Sequence, residues 1–281
     1  MSNSGKVWFI TGISRGLGLE LARAALARGD TVVGTTRSGA SEQPVGAGDL
    51  HVLPLEVTDA AQVKAVVANA QAICGRLDVV VNNAGYGLLG AMEETAEEQY
   101  RHLFEVDFFA PVQVIKAALP FLRAQRSGCI VNISSIAGLA PMGGSAFYAA
   151  AKSALEGLSQ SLAQELAPLG VKVMLVEPGA FRTDFLSAHS LRSTAVRIED
   201  YAGTAGAVVS RLGKLSGHQA GDPARGAAVI MQAALSDDPP LHLVVGRDAI
   251  ERARAKLQRL AADIDRWETV GSTTDFAEAR A

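Results

Sequence analysis

Short apolar segments alternate along the chain with longer segments of helical periodicity. KVWFI, TVVGTT and LDVVVNN are apolar almost throughout, whereas LGLELARAALARG and DAAQVKAVVANAQAIC are amphipathic. Strands that are apolar on both faces are typical of a parallel sheet with helices on both sides. The pattern therefore predicts an α/β protein with a doubly wound, mostly parallel seven-stranded sheet and helices on both faces, which is a Rossmann-like fold.

The same pattern predicts the later elements and one interruption. The predicted elements are a long helical region over 96–126, the strand GCIVNISS, a helix over about 147–168, the strand VKVMLVEPG, a helix near 222–235, the strand LHLVVG and a charged helix over 248–266. Since no linker or repeat divides the chain, we expect a single dinucleotide-binding oxidoreductase domain over 1–281, with a C-terminal helical extension at about 248–281.

The interruption is a polar, glycine-rich segment over about 184–221, with one short helical pattern near 199–212. It follows the carboxyl end of a predicted strand, where open α/β sheets bind ligands, so it is interpreted as a substrate-loop insertion. A plain surface loop would have the same composition, and this alternative stays open.

Composition limits the possible partners. A formal net charge of −3 provides no basic surface, which argues against nucleic acid as a partner. The N-terminal apolar stretch is too short for a signal peptide or a membrane span, so we expect a cytoplasmic protein without a membrane partner. Cys74 and Cys129 are isolated and lack metal-ligand spacing, and no metal site is expected.

The segment TGISRGLG lies between the first predicted strand and the first helix. Gly12, Gly16 and Gly18 allow a tight turn and close approach of a pyrophosphate, which binds the amide groups at the start of the helix. An ordinary tight turn is the alternative, but the strand–turn–helix context favours dinucleotide binding. Ser14, Arg15 and Leu17 complete the predicted phosphate turn.

The residues after the second strand indicate which dinucleotide binds. An NAD-binding fold commonly places an acid there to bind the ribose 2′-hydroxyl. Here Thr36 is neutral and Arg37 follows it, while Arg15 lies in the phosphate turn. Two guanidinium groups without the acid favour a 2′-phosphate, and hence NADP(H) over NAD(H).

Tyr148 and Lys152 are spaced four residues apart in SAFYAAAKSALEG and lie on the same face of a predicted helix. A free phenol has a pKa of about 10, and a neighbouring ammonium group lowers it and makes tyrosine a usable acid and base. An isolated pair with this spacing is usually coincidental, so the pair needs support from the rest of the chain.

That support comes from the order of the motifs. TGISRGLG, NNAG, VNISSIAG, YAAAK and EPGAFRTD follow one another, each adjoining a predicted strand or helix end. Over roughly residues 5–183 this set strongly resembles the short-chain dehydrogenase/reductase family. The resemblance implies an oxidoreductase that moves a hydride between a nicotinamide cofactor and a carbonyl or alcohol, working as a homodimer or homotetramer.

The resemblance also implies roles for individual residues. Ser135 would hydrogen-bond the substrate oxygen, with Ser134 as the competing choice, Tyr148 would be the general acid/base, and Lys152 would lower the pKa of Tyr148 and hold the nicotinamide ribose. The other cofactor-binding residues that it implies are Glu56 and Val57 beside the adenine, Asn83, Ala84 and Gly85 beside the adenosine, and Pro178, Gly179 and Thr183 around the nicotinamide and phosphates.

One position departs from the family pattern. The family places an asparagine on the long helix, where it holds a water linked to the lysine, whereas FEVDFFAP places Asp107 there. A negative charge would favour the ammonium form of Lys152 and directly oppose phenolate formation on Tyr148. We treat Asp107 as a functional replacement for that asparagine, with an acid satisfied elsewhere as the alternative.

The expected substrate is a largely apolar ketone, aldehyde or secondary alcohol. Leu88, Leu89, Met142, Phe181 and Phe185 are candidate wall residues, although each could be ordinary core. His189, His218 and the arginines of the insertion are expected to face solvent. The rival interpretation is an NADP(H)-binding regulatory protein that has lost turnover, with Asp107 as the first lesion.

Overall fold

The computed structural model describes residues 5–40, 47–187 and 190–276. Within these residues, seven parallel strands form one sheet in the order β3-β2-β1-β4-β6-β7-β9, and two short strands, β5 and β8, pair separately. The strands are β1 Val7–Thr11, β2 Thr31–Thr36, β3 Leu50–Pro54, β4 Val79–Asn82, β5 Gly87–Leu89, β6 Gly128–Ile133, β7 Val171–Pro178, β8 Leu191–Ser193 and β9 His242–Val245. The predicted doubly wound parallel sheet is confirmed.

Helices cover both faces of this sheet. Their bounds are α1 Gly16–Ala27, α2 Ala60–Cys74, α3 Glu97–Phe104, α4 Ala110–Gln125, α5 Ile136–Leu139, α6 Ala146–Leu166, α7 Ala207–Leu215, α8 Pro223–Ala234 and α9 Arg247–Gly271. No helix in the described part of the chain is both long enough and apolar enough to cross a bilayer.

The continuously apolar strands have two buried faces, as the sequence pattern predicts. In β1, Trp8 and Ile10 pack with α1 and α8, whereas Val7 and Phe9 pack with α2, α4 and α6. Trp8, Phe9 and Ile10 are completely buried, since successive side chains of a strand point to opposite faces. The parallel sheet is therefore packed against helices on both of its faces.

The long helical region predicted over 96–126 is two helices joined by a π-helical turn. This turn, Glu105–Phe109, separates α3 from α4 and contains the buried Asp107. A π-turn adds a residue to the helix and changes the direction of the side chains on it. Hydrophobic periodicity alone did not reveal this turn.

Two other regions differ from the sequence-based boundaries. The insertion contains β8 and α7 joined by short 3₁₀ and π turns, and β8 pairs with β5 outside the main sheet. The last helix, predicted over 248–266, continues to Gly271. Strands of three residues are too short to give a periodic signal, which explains why β5 and β8 were missed.

Candidate active site

A cavity of about 590 Å³ opens at the carboxyl edge of the parallel strands. Tyr148, Lys152 and Ser135 line it, together with residues of the glycine-rich turn and of the insertion. Ligands of open α/β sheets bind at this edge, where the strand order reverses. The tertiary structure thus brings the predicted catalytic and cofactor-binding segments to one place.

The glycine-rich turn has the backbone that the sequence predicts. Gly12 and Gly16 have φ values of 74° and 62°, in the left-handed region that favours glycine. The first turn of α1 contains no acidic side chain, which suits a phosphate at this helix terminus. Gly12, Ser14, Arg15, Gly16 and Leu17 line the cavity.

Gly18 has a packing role in this turn and does not line the cavity. A Cβ atom at Gly18 would lie 2.3 Å from Nδ2 of Asn83 and 2.4 Å from the carbonyl oxygen of Gly12. The same Asn83 amide donates to the carbonyl oxygens of Thr11 and Gly12, each at 2.9 Å. Gly18 and Asn83 therefore hold the phosphate turn against the turn after β4.

The far end of the cavity is lined by the residues predicted to surround the adenosine. Arg37, directly after β2, lies on this wall, as do Glu56 and Val57 after β3. The hydroxyl of Thr36 donates to the carbonyl oxygen of Ala40, which stabilises the turn that carries Arg37. Asn83, Ala84 and Gly85 line the same cavity.

The side chain of Lys152, on α6, is buried and has two polar neighbours. Its Nζ atom is 3.1 Å from the carbonyl oxygen of Ile133 and 3.2 Å from Oδ2 of Asp107. Asp107 also accepts a hydrogen bond from the Tyr86 amide at 3.1 Å and is completely buried. Asp107 does not line the cavity. It lies behind the cavity wall, where its carboxylate contacts Lys152 directly.

The pKa values of these groups reflect burial and their mutual interaction. Burial raises the pKa of the Tyr148 phenol, the Lys152 ammonium lowers it, Asp107 raises it and Ser135 lowers it, with the net shift upward. Burial would lower the pKa of Lys152, but Asp107 and Tyr148 outweigh it and the net shift is upward. Burial raises the pKa of Asp107, although Lys152 and the Tyr86 amide oppose this.

The two serines after β6 face different surroundings. Ser135 begins α5, where its Oγ accepts a hydrogen bond from the Ala137 amide at 3.1 Å, and it lies beside the Tyr148 phenol. Ser134 is 4 % exposed and its hydroxyl lies against Glu156 on α6. Of the two serines, Ser135 is therefore the one whose side chain lies beside the Tyr148 phenol.

The segment after β7 closes the cavity on the side of the glycine-rich turn. Pro178, Gly179 and Thr183 line the cavity, and the Thr183 side chain lies next to Gly16. A Cβ at Gly179 would come within 2.2 Å of a carboxylate oxygen of Asp248, which accepts a hydrogen bond from the Ala180 amide. The start of α9 thus supports this loop.

The opposite end of the cavity is mostly apolar. Leu89, Met142, Phe181 and Phe185 line it, and the rings of Phe185 and Tyr148 are 6.0 Å apart. Leu88 does not line it: adjacent residues of a strand point to opposite sides, and Leu88 packs in a core cluster with Tyr86 and Leu103.

One buried acid helps to attach the insertion to the domain, in addition to the pairing of β8 with β5. Glu94 is 5 % exposed and accepts hydrogen bonds from the amides of Ile198 at 2.8 Å and Ala91 at 3.0 Å, while Arg197 pairs with it at 3.4 Å. The backbone hydrogen bonds lower the pKa of Glu94. The insertion is therefore attached to the domain, and part of it lines the cavity.

A second buried acidic group lies next to Ser134. Glu156 and Glu177 are almost completely buried, and Nδ1 of His242 is 2.7 Å from Oε1 of Glu177 and 3.5 Å from Oε2 of Glu156. Burial, the largest cause, raises the pKa of Glu156 to about 7 and that of Glu177 to about 8. Two carboxyl groups this close share a proton near neutral pH.

Comparison with known proteins agrees with this geometry. The short chain dehydrogenase family matches residues 6–193, two thirds of the chain. The chain belongs to the short-chain dehydrogenase family.

Relatives in this family extend over almost the whole chain. The oxidoreductase BOA17 of Botryotinia fuckeliana is 40 % identical over 268 residues, covering 93 % of this chain and 96 % of that protein. The 3-ketodihydrosphingosine reductase of Bacteroides thetaiotaomicron is 38 % identical over 197 residues, covering 70 % and 72 %. A short-chain dehydrogenase structure from Streptomyces avermitilis is 40 % identical, with a TM-score of 0.88 over 98 % of this chain and all of that one.

Membership of the short-chain dehydrogenase family establishes the reaction class. The protein is an oxidoreductase acting on CH–OH or C=O groups. Solved structures that resemble it include a complex with NAD at 22 % sequence identity and a complex with NADP at 26 %.

Sequence reasoning missed several side chains of the short-chain dehydrogenase site. Arg192 lies over the Tyr86 ring at 4.5 Å, and Arg211 and Arg252 line the cavity. The insertion arginines are exposed, as predicted, but Arg192 and Arg211 also form cavity wall. His218 is exposed as predicted, whereas His189 lies outside the described residues. The only sequence signal for these side chains was the charged character of the start of α9. Without the fold, this signal could not be connected to the site.

Proposed function

We propose that the protein is an NADP(H)-dependent oxidoreductase for a largely apolar ketone, aldehyde or secondary alcohol, with Tyr148 as general acid/base. The observation that carries this proposal is the continuity of one cavity. It extends from Arg15 and Arg37 at one end, past Ser135, Tyr148 and Lys152, to Met142 and Phe185 at the other. A dinucleotide and a substrate carbonyl would meet beside the Tyr148 phenol.

The residues around the glycine-rich turn fit such a cofactor. Gly12 and Gly16 have the backbone that close approach of a pyrophosphate requires, and Lys152, Pro178, Gly179 and Thr183 line the section leading to Tyr148. When bound, the nicotinamide supplies or accepts the hydride.

The chain's own residues then provide orientation and proton transfer. In the reductive direction, Ser135 donates a hydrogen bond to the substrate oxygen and Tyr148 donates the proton that this oxygen gains. In the oxidative direction, the Tyr148 phenolate, which the Lys152 ammonium stabilises, accepts the alcohol proton and becomes the neutral phenol. The buried position of Tyr148 limits competing proton exchange with bulk water.

Asp107 is proposed to replace the family's asparagine beside Lys152. Its carboxylate lies 3.2 Å from the ammonium and holds Lys152 in the charged form that phenolate stabilisation requires. The same charge raises the pKa of Tyr148 directly. Asp107 is thus a positioning residue, whose direct effect on Tyr148 and indirect effect through Lys152 have opposite signs.

The preference for NADP(H) rests on the arginines. Arg37 follows β2 at the position where an NAD-binding fold commonly carries an acid, and Arg15 lines the same cavity. Guanidinium groups bind phosphate through paired hydrogen bonds, and a ribose hydroxyl offers no comparable charge.

The proposed function is tested by mixing the protein with NADPH or NADH and a series of carbonyl compounds while following cofactor absorbance. We expect oxidation of NADPH by apolar ketones or aldehydes, with slower turnover of small polar ones. Tight NADPH binding without turnover in either direction would instead favour the regulatory protein.

The role of Asp107 is tested with Asp107→Asn, using Glu105→Gln in the same π-turn as the exposed control. Removing the charge lowers the pKa of Tyr148 directly, so the pH–rate profile in the oxidative direction should move to lower pH as long as Lys152 stays an ammonium. Loss of the Lys152 charge in this variant would move the profile to higher pH instead. An unchanged profile and rate in a folded Asp107→Asn variant would contradict the role.

A further inference from the structure

The last helix has one apolar face that is only partly covered. At its beginning, Ala249 and Ala253 are buried against Ile136 and Ala140. Beyond Ala253 the same face continues as an apolar stripe of Leu257, Leu260, Ile264 and Trp267. Their exposed fractions are 65, 46, 58 and 62 %, so the domain covers the first turns of this face and leaves the rest open.

The spacing of the residues in the apolar stripe indicates that it pairs with another helix. Its residues are separated by three, four and three positions, which is the a/d pattern of a helix that pairs with another helix. Extended backwards, the pattern includes Ala253 and Ile250, giving a repeat over most of the helix. Contiguous exposed apolar surface of this kind marks an interaction site on a soluble protein.

We propose that the apolar stripe is an interface with a second copy of this chain, formed by two antiparallel α9 helices. The midpoint of the pair lies at the level of Ala262, whose side chain is on the opposite side of the helix from the stripe. In this register Leu257 packs on Trp267 of the partner copy, and Leu260 packs on Ile264 of the partner copy. The register buries all four residues on both copies. This inference does not depend on the proposed cofactor or substrate.

The charges flanking the apolar stripe favour this orientation. In an antiparallel pair centred near Ala262, Arg254 approaches Glu268 of the partner copy, and the symmetry axis repeats this contact. A parallel pair would bring Asp263 and Glu268 together on both sides of the interface, whereas the antiparallel pair brings together only the two Asp263 side chains at the symmetry axis. All three of these side chains belong to exposed parts of α9.

The same charges disfavour a membrane surface as the partner. Helices that lie on anionic bilayers carry an excess of lysine and arginine on the polar face. Here Asp263, Asp265 and Glu268 surround the most apolar half of the stripe. The helix is also already folded and held at its first turns, so pairing does not have to offset the cost of forming it.

The proposal is tested by sedimentation equilibrium of Ile264→Asp, with Ala262→Asp on the outer face of the same helix as the control. We expect Ile264→Asp to weaken self-association at least about 100-fold, because it places a charge in the apolar seam. The control should associate like the parent, and circular dichroism should show that both variants are folded. Equal association of the two variants would overturn the proposal.

Orientation and partner are tested by crosslinking in a Cys74→Ser background. A mixture of Arg254→Cys and Glu268→Cys proteins should form the mixed disulfide in preference to either symmetric one. Symmetric disulfides alone, or none, would overturn the antiparallel pair. Binding of the monomeric protein to anionic phospholipid vesicles, lost in Ile264→Asp, would identify a membrane partner and would also overturn it.

Discussion

The two ends of the cavity are formed by different kinds of segment. We call them the cofactor end and the substrate end, after the ligands proposed to bind there. The cofactor end consists of turns that directly follow strands of the parallel sheet, such as the turns containing Gly12, Arg37 and Asn83. The substrate end combines the insertion after Thr183 with the first turns of α9. Strand-end turns are held by the sheet ladder, whereas the insertion depends on side-chain anchors such as Glu94. The turns at the cofactor end can therefore stay rigid while the segments at the substrate end vary.

The largest expected effect lies where the two ends meet. Tyr148→Phe removes the hydroxyl that transfers the proton, so we expect kcat to fall by about 10²–10⁴. NADPH affinity should change little, because the cofactor end keeps its other contacts. Single-turnover kinetics and cofactor fluorescence titration measure the two effects, and Tyr100→Phe is the control. Substantial remaining turnover would refute the assigned role.

The next effect should be confined to the cofactor end. Arg37→Ala removes a guanidinium proposed to bind the 2′-phosphate, and we expect NADPH to bind about 10–100-fold more weakly, as for loss of a charged hydrogen bond. NADH affinity should stay nearly constant, as should both affinities in Arg23→Ala, which changes an exposed arginine of α1 paired with Glu20. Equal losses for NADPH and NADH in Arg37→Ala would overturn the cofactor preference.

A change at the substrate end should have the opposite selectivity. Glu94→Gln weakens the acceptor that binds the Ile198 amide and Arg197, so the insertion should be held less firmly. We expect a several-fold rise in KM for the carbonyl substrate with NADPH affinity unchanged. Glu98→Gln, an exposed change on α3, is the control. A parallel loss of NADPH affinity in Glu94→Gln would show that the two ends are not separable.

The smallest effect on cofactor or substrate is expected for the acid pair Glu156 and Glu177, which does not line the cavity. Because the pKa values of Glu156 and Glu177 rise from 4.5 to about 7 and about 8 on folding, the folded state binds these protons more tightly. Their contribution is therefore fully present below pH 4.5 and is lost as the pH rises towards 8. We expect the free energy of unfolding to fall over this window, with a slope set by the protons that the folded state binds in excess of the unfolded state.

Urea unfolding between pH 5 and pH 8.5 measures this loss, where the slope with pH reports the difference in bound protons. Glu156→Gln should flatten the dependence, while Glu165→Gln, an exposed change on the same helix, should leave it as in the parent. The same slope in both variants would mean that the acid pair does not share a proton.

Most of the cofactor end was predictable from the sequence. Gly12, Asn83 and Pro178 belong to motifs that stand at strand ends, and parallel strands bring their carboxyl ends to one edge of the sheet. The substrate end was less predictable. Leu88 was placed in the cavity but is core, and Arg252, seventy residues beyond Thr183, was not associated with the site. No local pattern records which distant segment will form a wall.

The amino-acid sequence by itself determined the parallel sheet, the glycine-rich turn and the pairing of Tyr148 with Lys152, because each follows from local periodicity or spacing along one element. Only the tertiary structure decided that Asp107 contacts Lys152, that Glu94 anchors the insertion and that α9 leaves part of its apolar face uncovered. These contacts join segments far apart in the chain, and burial then sets their charges and pKa values.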